Sequence, residues 1–285
     1  MYAIKVENLE KSYGTNNVLN GISFSVSHGE IFALLGTNGA GKTTTLECIE
    51  GLLKYENGSI QITGTYGVQS QSSSIPKSMK ANEALSLFAK WQHTEINTEY
   101  LERLGIQPFM KKQYCQLSTG QKRRLHLAIA LLGNPDIVFL DEPTAGLDVE
   151  GRVSIHSEIK NLKALGKTII LASHDMAEVE ELSDKIAILK EGKIAFLGTA
   201  EELTETSHSL FALKVRFSKK PLNSDIFSGK TQDDKGYYVF ETKKLEDTLA
   251  DVIACCRTQN ITMTDVKVER AGIEQRFLEI TKEAK

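Results

Sequence analysis

Three short runs in the chain, residues 31–35, 137–140 and 168–172, are apolar almost throughout. Runs of that length predict strands buried on both faces. Elsewhere apolar and polar residues alternate. Residues 3–8, the set Ile22, Phe24 and Val26, and the pair Ile60 and Ile62 each predict a strand with one covered face. Gly14 to Asn17 reads as a turn. Ile186–Leu189 and Lys193–Leu197 flank Glu191-Gly192, a hairpin signal. A different period follows residue 40, where Leu46, Ile49 and Leu53 recur at helical spacing. Residues 80–132 predict mostly helix. Ala84, Leu85, Leu87 and Phe88 form one apolar cluster there, and Leu101 and Leu104 another. Leu125, Ala128, Ile129 and Leu132 form a buried stripe that Gly133-Asn134-Pro135 ends. Residues 149–165 predict a crossover helix ended by Gly166. Residues 66–76, rich in glutamine and serine, predict a loop.

The pattern changes near residue 205. Thr204 to His208 is polar and predicts a linker. Beyond it Leu213, Val215 and Phe217 alternate, as do Tyr238 and Phe240. Leu245, Leu249, Val252 and Cys256 recur at helical spacing. Val266 and Val268 suggest a third strand, and Ile273, Phe277 and Ile280 a final helix. The division is therefore a large domain over residues 1–205 and a small α+β domain over 209–285.

Composition narrows the class. The 285 residues are 25% charged and 41% apolar, as in ordinary soluble proteins, and the net charge of -3 gives no electrostatic case for nucleic acid. No apolar run approaches the ~18 residues of a spanning helix; Leu125–Leu132 is short and contains His126. Met1-Tyr2-Ala3-Ile4-Lys5 lacks a basic-then-apolar signal pattern. The expectation is a cytosolic protein whose link to a membrane, if any, comes through a partner. Cys48, Cys115, Cys255 and Cys256 have no zinc-type spacing and read as small apolar fillers.

The strongest chemical signal is Gly36-Thr37-Asn38-Gly39-Ala40-Gly41-Lys42-Thr43, which fits G-x-x-x-x-G-K-[S/T] between a buried strand and a helix. Glycines let the backbone curl its N–H groups toward phosphate oxygens, and the helix N-terminus adds unpaired donors. Lys42 can reach the β and γ phosphates of a nucleoside triphosphate, and the Thr43 hydroxyl can hold Mg²⁺. Downstream, the run 137–140 delivers Asp141 and Glu142 at its C-terminal end. Asp141 can join the Mg²⁺ shell, and Glu142 can orient or deprotonate a water. A solvated turn pair is the competing reading, and a weak one, because the four residues before it are all apolar. His174, at the end of the next strand, can meet the γ-phosphate; a structural histidine is the competing reading. Gln69 and Gln71 offer an amide to Mg²⁺ in what reads otherwise as a plain polar loop. Tyr13 is either an aromatic face for adenine or an ordinary half-buried tyrosine, and position alone favours the latter. Ser118-Thr119-Gly120-Gln121 opens a helix and makes a second anion site, which suggests that it completes a pocket on another copy. Of Lys122, Arg123 and Arg124, at least two read as a solvated helical face.

In that order, the phosphate loop, the glutamine loop, Leu117–Gln121, the acidic strand, Ala145-Gly146-Leu147-Asp148 and His174 resemble the ATP-binding subunits of ATP-binding-cassette (ABC) transporters over residues 1–205. The resemblance implies an α/β P-loop NTPase core with an antiparallel β-subdomain and a helical subdomain at about 72–134. It implies a head-to-tail dimer of this chain, with itself or with a paralogous ATPase subunit, around two ATP molecules. Residues 36–43 and Thr44 would hold ATP with Mg²⁺, and Tyr13 would stack on adenine. Glu142 would be the general base. Ser118, Thr119, Gly120 and Gln121 would act in trans, and Asp148 would cross the interface. Gln71 takes the family's glutamine position counted from Gly67, with Gln69 the fallback. Thr119 stands where the family commonly has a second glycine, and Thr37 where it commonly has proline. The tail, through Gly272–Thr281, looks similar to the extension of bacterial exporter ATPases that serve separate multi-span permeases. That resemblance implies transport, in the export direction, from a peripheral position on the inner face of the membrane. A soluble ABC-type ATPase acting on ribosomes or chromosomes is the alternative. Ribosome-acting members usually carry two cassettes, and chromosome-type members carry long coiled coils; this chain shows neither.

Overall fold

The computed structural model describes residues 1–69, 75–206, 211–219, 221, 233, 235–270, 276, 277 and 280. They form two compact units, Met1–Thr199 and Ala200–Lys285.

The first unit is built on a six-stranded sheet. Its strands are β3 (Ile31–Leu35), β5 (Tyr66–Gln69), β6 (Ile137–Asp141), β7 (Thr168–Ser173), β8 (Lys185–Lys190) and β9 (Lys193–Gly198), in the order β5-β6-β7-β3-β8-β9. All pair in parallel except β9, which returns antiparallel from β8. Residues 31–35, 137–141 and 168–173 are all buried. The reason is cover on both faces. Phe32, Leu34, Ile137, Phe139, Ile170 and Ala172 pack with the β-subdomain and α1 (Lys42–Ile49). Ile31, Val138, Leu140, Ile169 and Leu171 pack on the helical side. Period-two alternation thus sorts one continuous apolar run into two cores.

The β-subdomain is a three-stranded antiparallel sheet of β1 (Tyr2–Tyr13), β2 (Asn16–Ser27) and β4 (Asn57–Ile62), ordered β2-β1-β4. Its first hairpin is longer than the alternation at 3–8 and 22–26 predicts. Phe24 of β2 stacks on Phe32 of β3, ring centroids 4.9 Å apart, and joins this sheet to the central one. On the other side lie α2 (Ala81–Trp91), α3 (Thr98–Arg103), α4 (Thr119–Ala130), α5 (Val149–Ala164) and α6 (Met176–Leu182).

Three expectations are corrected. Residues 66–69 are a strand at the sheet edge, where a loop was expected; Gln69 is buried despite its amide. Glycine at 67 permits this, since a Cβ there would lie 1.8 Å from the Ala130 carbonyl oxygen of α4. Lys122, Arg123 and Arg124 are all half-buried, so α4 has no solvated basic face. Lys122 lies over the Tyr114 ring and Arg124 over the Phe109 ring. Cys115 is exposed and fills no core, whereas Cys48, Cys255 and Cys256 are buried.

In the second unit, α7 (Ala200–Thr206) occupies most of the stretch read as linker. An antiparallel sheet of β10 (Phe211–Phe217), β11 (Tyr238–Thr242) and β12 (Met263–Arg270), ordered β11-β10-β12, packs Leu213, Val215, Tyr238 and Phe240 against Val252, Cys255 and Cys256 of α8 (Leu245–Gln259). The final helix expected around 273–280 falls largely outside the described residues. Among the described residues, no helix is long and apolar enough to cross a membrane.

Candidate functional site

The phosphate loop leaves the C-terminal end of β3 and enters α1. Its path is fixed by crowding. A Cβ at Gly36 would lie 2.8 Å from the Leu189 carbonyl oxygen, and one at Gly41 would lie 2.7 Å from Leu19 Cδ2. Gly41 also has φ 105°, where a side chain is strained. Gly41 caps α1 without a side-chain acceptor, and the first turn holds no acid. The helix N-terminus therefore keeps its donors and its positive end for an anion. Thr37, Asn38 and Gly39 are exposed, while Ala40 is buried against the core.

Lys42 curls back over this loop. Its Nζ donates to the Gly36 carbonyl at 2.8 Å and the Thr37 carbonyl at 3.3 Å, and stands 4.0 Å from Glu142 Oε1. Burial pushes its ammonium below the usual lysine range, opposed by the charges of Glu142 and Asp141. Thr43 Oγ1 donates to Asp141 Oδ2 at 3.0 Å. The other oxygen, Oδ1, is buried with no hydrogen-bond partner. Burial raises the Asp141 carboxyl, and the Thr43 bond works against that. An orphaned carboxylate oxygen beside a threonine hydroxyl is the donor set that a hard divalent cation such as Mg²⁺ takes.

Glu142 lies one residue beyond Asp141. Its backbone is left-handed, φ 51°, an uncommon state for a non-glycine residue. Its Oε2 lies 2.6 Å from His174 Nδ1, and the His174 side chain is 57% exposed. The strand ends of β6 and β7, neighbours in the sheet, bring the two together. Lys42, Thr43, Thr44 and Glu142 line one cavity of about 480 Å³ with Asn38, Gly39 and Gly41. Asn16 and Val18 of β2 also line it, which the sequence did not signal. Tyr13 is not among its lining residues; it is half exposed, with Lys11 Nζ 5.2 Å from its ring centre.

The stretch expected to make a second anion site lies at a separate cavity. Ser118, Thr119 and Gly120 line a cavity of about 520 Å³ with Gly146, Leu147 and Asp148. Ser118 Oγ accepts from Gln121 N at 3.2 Å, and Gln121 Oε1 accepts from Ser118 N at 3.1 Å, a reciprocal cap on α4. Thr119 sits beside Gly146, where a Cβ would be 3.5 Å from its methyl. Asp148 is exposed and caps α5 through Gly151 N at 2.8 Å. Gln71 lies outside the described residues. Gln69 ends β5 with both amide atoms buried and unpartnered.

The arrangement can hold a polyphosphate at Lys42 and the α1 N-terminus, and can hold a water near Glu142. Comparison with known proteins agrees. The family model described as "ABC transporter" matches residues 19–145, and one described as "AAA domain, putative AbiEii toxin, Type IV TA system" matches residues 111–180. The chain is 30% identical over 304 aligned residues to the linearmycin resistance ATP-binding protein LnrL of Bacillus subtilis (strain 168), covering 98% of each. It is 36% identical to the Nod factor export ATP-binding protein I of Burkholderia orbicola (strain AU 1054), over 71% of this chain and 73% of that one. The dimeric structure of MJ0796, a bacterial ABC transporter cassette, superposes with a TM-score of 0.64 at 25% identity, over 69% of this chain and 98% of that one. With a phosphate-loop motif, an acidic strand and a reciprocally capped α4 in one cassette, the chain belongs to the ATP-hydrolysing, ATP-binding subunits of ABC transporters.

Proposed function

We propose that this subunit drives export through a separate multi-span permease, from the inner face of the membrane. ATP binding would close a head-to-tail dimer, and hydrolysis would reopen it. Lys42 and the amides of residues 36–44 grip the phosphates. Thr43 and Asp141 would hold Mg²⁺, with Gln71 as the family's further ligand, and the ion would supply charge neutralisation of the phosphates. Glu142 takes the proton of the attacking water, and His174 steadies Glu142 and meets the γ-phosphate. Ser118, Thr119, Gly120 and Gln121 of the second copy close the pocket, Asp148 crosses the interface, and Tyr13 stacks on adenine. The observation that carries the hydrolytic part of this reading is the convergence of Lys42, Thr43, Asp141, Glu142 and His174 on one end of the sheet, and relatives named for resistance and export support its direction.

The permease contact falls on residues 72–92. Leu87 and Trp91 support it: they lie one turn apart on α2 and are 51% and 74% exposed, which sets two large apolar side chains side by side on its surface. The test is Glu142→Gln. The variant keeps ATP binding, accumulates a nucleotide-trapped dimer and loses turnover. Surviving turnover rejects Glu142 as the base. Purification from membranes then asks for the partner, and a multi-span protein should come with the chain.

A further inference from the structure

Behind the catalytic pair lies a buried network that no sequence pattern marks. At its centre is Glu178 of α6, 2% exposed. Its Oε1 accepts from Thr144 Oγ1 at 2.8 Å and lies 3.3 Å from His156 Nε2 of α5. Its Oε2 accepts from Ser173 Oγ at 2.6 Å. Ser173 Oγ in turn accepts from the backbone N–H of Asp175 at 3.0 Å. The far nitrogen of His156, Nδ1, lies 3.0 Å from Glu181 Oε2, and Lys160 donates to Glu181 Oε1 at 2.6 Å. Whichever ring nitrogen of His156 carries a proton therefore meets a carboxylate.

The partners of Glu178 are informative by position. Thr144 lies in the tight turn between Glu142 and Asp148, which Ala145 N to Glu142 O and Leu147 N to Thr144 O keep closed. Ser173 is the last residue of β7 and immediately precedes His174. One carboxylate thus fastens the loop that carries the base and leads to the interface residue to the loop that carries the histidine. A second tie runs beside it, Arg152 of α5 to Asp175 at 2.9 Å. A buried carboxyl group is costly unless its oxygens are satisfied, so this geometry has a strong preference for all three bonds at once.

We propose that Glu178 is a positioning residue for ATP hydrolysis. It sets the Glu142–His174 distance and makes that pair move together with the Gly146–Asp148 turn. The proposal rests on the reading of Glu142 and His174 given above. Glu178 is buried and does not line the phosphate-loop cavity, so it acts through Thr144 and Ser173.

The test uses the full chain and compares kcat, KM for ATP, ATP affinity and thermal midpoint for Thr144→Val, Ser173→Ala and Glu178→Gln, with Thr144→Ser as the conservative control. A misplacement of about 1 Å at a reacting group costs about 100-fold in rate, so kcat should fall about 10- to 100-fold while ATP affinity changes by less than about threefold. Thr144→Ser should restore most of the rate. A folded Thr144→Val or Ser173→Ala variant with wild-type kcat overturns the proposal. So does a fall in kcat that appears only together with lost ATP affinity and a lowered thermal midpoint. If Glu178→Gln does not fold, the two single-bond variants decide. Wild-type turnover that resists Glu142→Gln rejects the underlying reading and the proposal with it. Turnover that needs Glu142 but ignores the network rejects the proposal alone.

Discussion

Glu142 Oε2 and His174 Nδ1 lie 2.6 Å apart, across the ends of two neighbouring strands. The glutamate is buried and the histidine largely exposed, so the pair spans the boundary between sheet and cavity. Replacing His174 with alanine should leave the Lys42 and backbone-amide contacts to phosphate in place and lower kcat by at least about 100-fold, the scale of a lost acid–base positioning group. Steady-state ATPase rates with parallel ATP-binding isotherms check this.

Lys42 Nζ stands 4.0 Å from Glu142 Oε1, and its charge acts on Asp141 as well. Lys42→Ala removes a charge-assisted bond to phosphate and leaves two carboxylates facing it. A bond of that kind contributes about 1.5–3 kcal/mol, so ATP affinity should fall about 10- to 100-fold or more. Equilibrium titration with a fluorescent ATP analogue measures the loss.

Burial, with the nearby charges of Asp141 and Glu47, pushes the Glu50 carboxyl up from 4.5 to about 7. Below 4.5 the group is protonated whether folded or unfolded, and burying it uncharged has its full benefit. As pH rises toward 7 the unfolded chain ionises and the folded one does not. Stability should therefore fall across that window, by about 3 kcal/mol at most, and level off above it. Denaturant unfolding at successive pH values, with Glu50→Gln flattening this component, is the check.

His126 behaves in the opposite sense. Burial, then the charges of Arg123 and Lys122, pull its imidazole down from 6.5 to about 4. The stability of the buried neutral ring is complete above 6.5 and declines as pH drops toward 4, because only the unfolded chain takes the proton. The thermal midpoint of His126→Gln should fall less than that of the wild type between pH 7 and 5.

At Gly67 a methyl group has no room: 1.8 Å separates its Cβ position from the Ala130 carbonyl oxygen, and 3.1 Å from Pro135 Cγ. Gly67→Ala must push β5 away from α4. The overpacking should cost about 3 kcal/mol or more, or prevent folding. Thermal or denaturant unfolding of the variant reads it directly.

What the sequence revealed depends on how far each signal reaches along the chain. The phosphate loop, the acids after residues 137–140 and His174 at the end of β7 were legible because each sits beside an apolar run that sets its place. Residues 66–69 were not. Their glutamine and glycine read as loop, while the strand is made by pairing with β6 and by contact with α4, both distant in sequence. The basic trio after the second anion site misled for a related reason. Tyr114 and Phe109 supply aromatic faces that no periodicity reveals. Asn16 and Val18 entered the pocket only because β2 folds back past the loop. The Glu178 network joins residues from β7, α5, α6 and a turn, so no local pattern could announce it.

The reciprocal cap at Ser118 has a further consequence. A hydroxyl has one proton, and here an oxygen lone pair is already committed to Gln121 N–H. The proton is not used in that bond, so the serine keeps a donor to offer an acceptor. In the proposed dimer the terminal phosphate group, absent from ADP, would be such an acceptor. The copy that grips the nucleotide would then not be the one that counts its phosphates. That reading would be made across the seam, by a neighbour that lets go when the count drops from three to two.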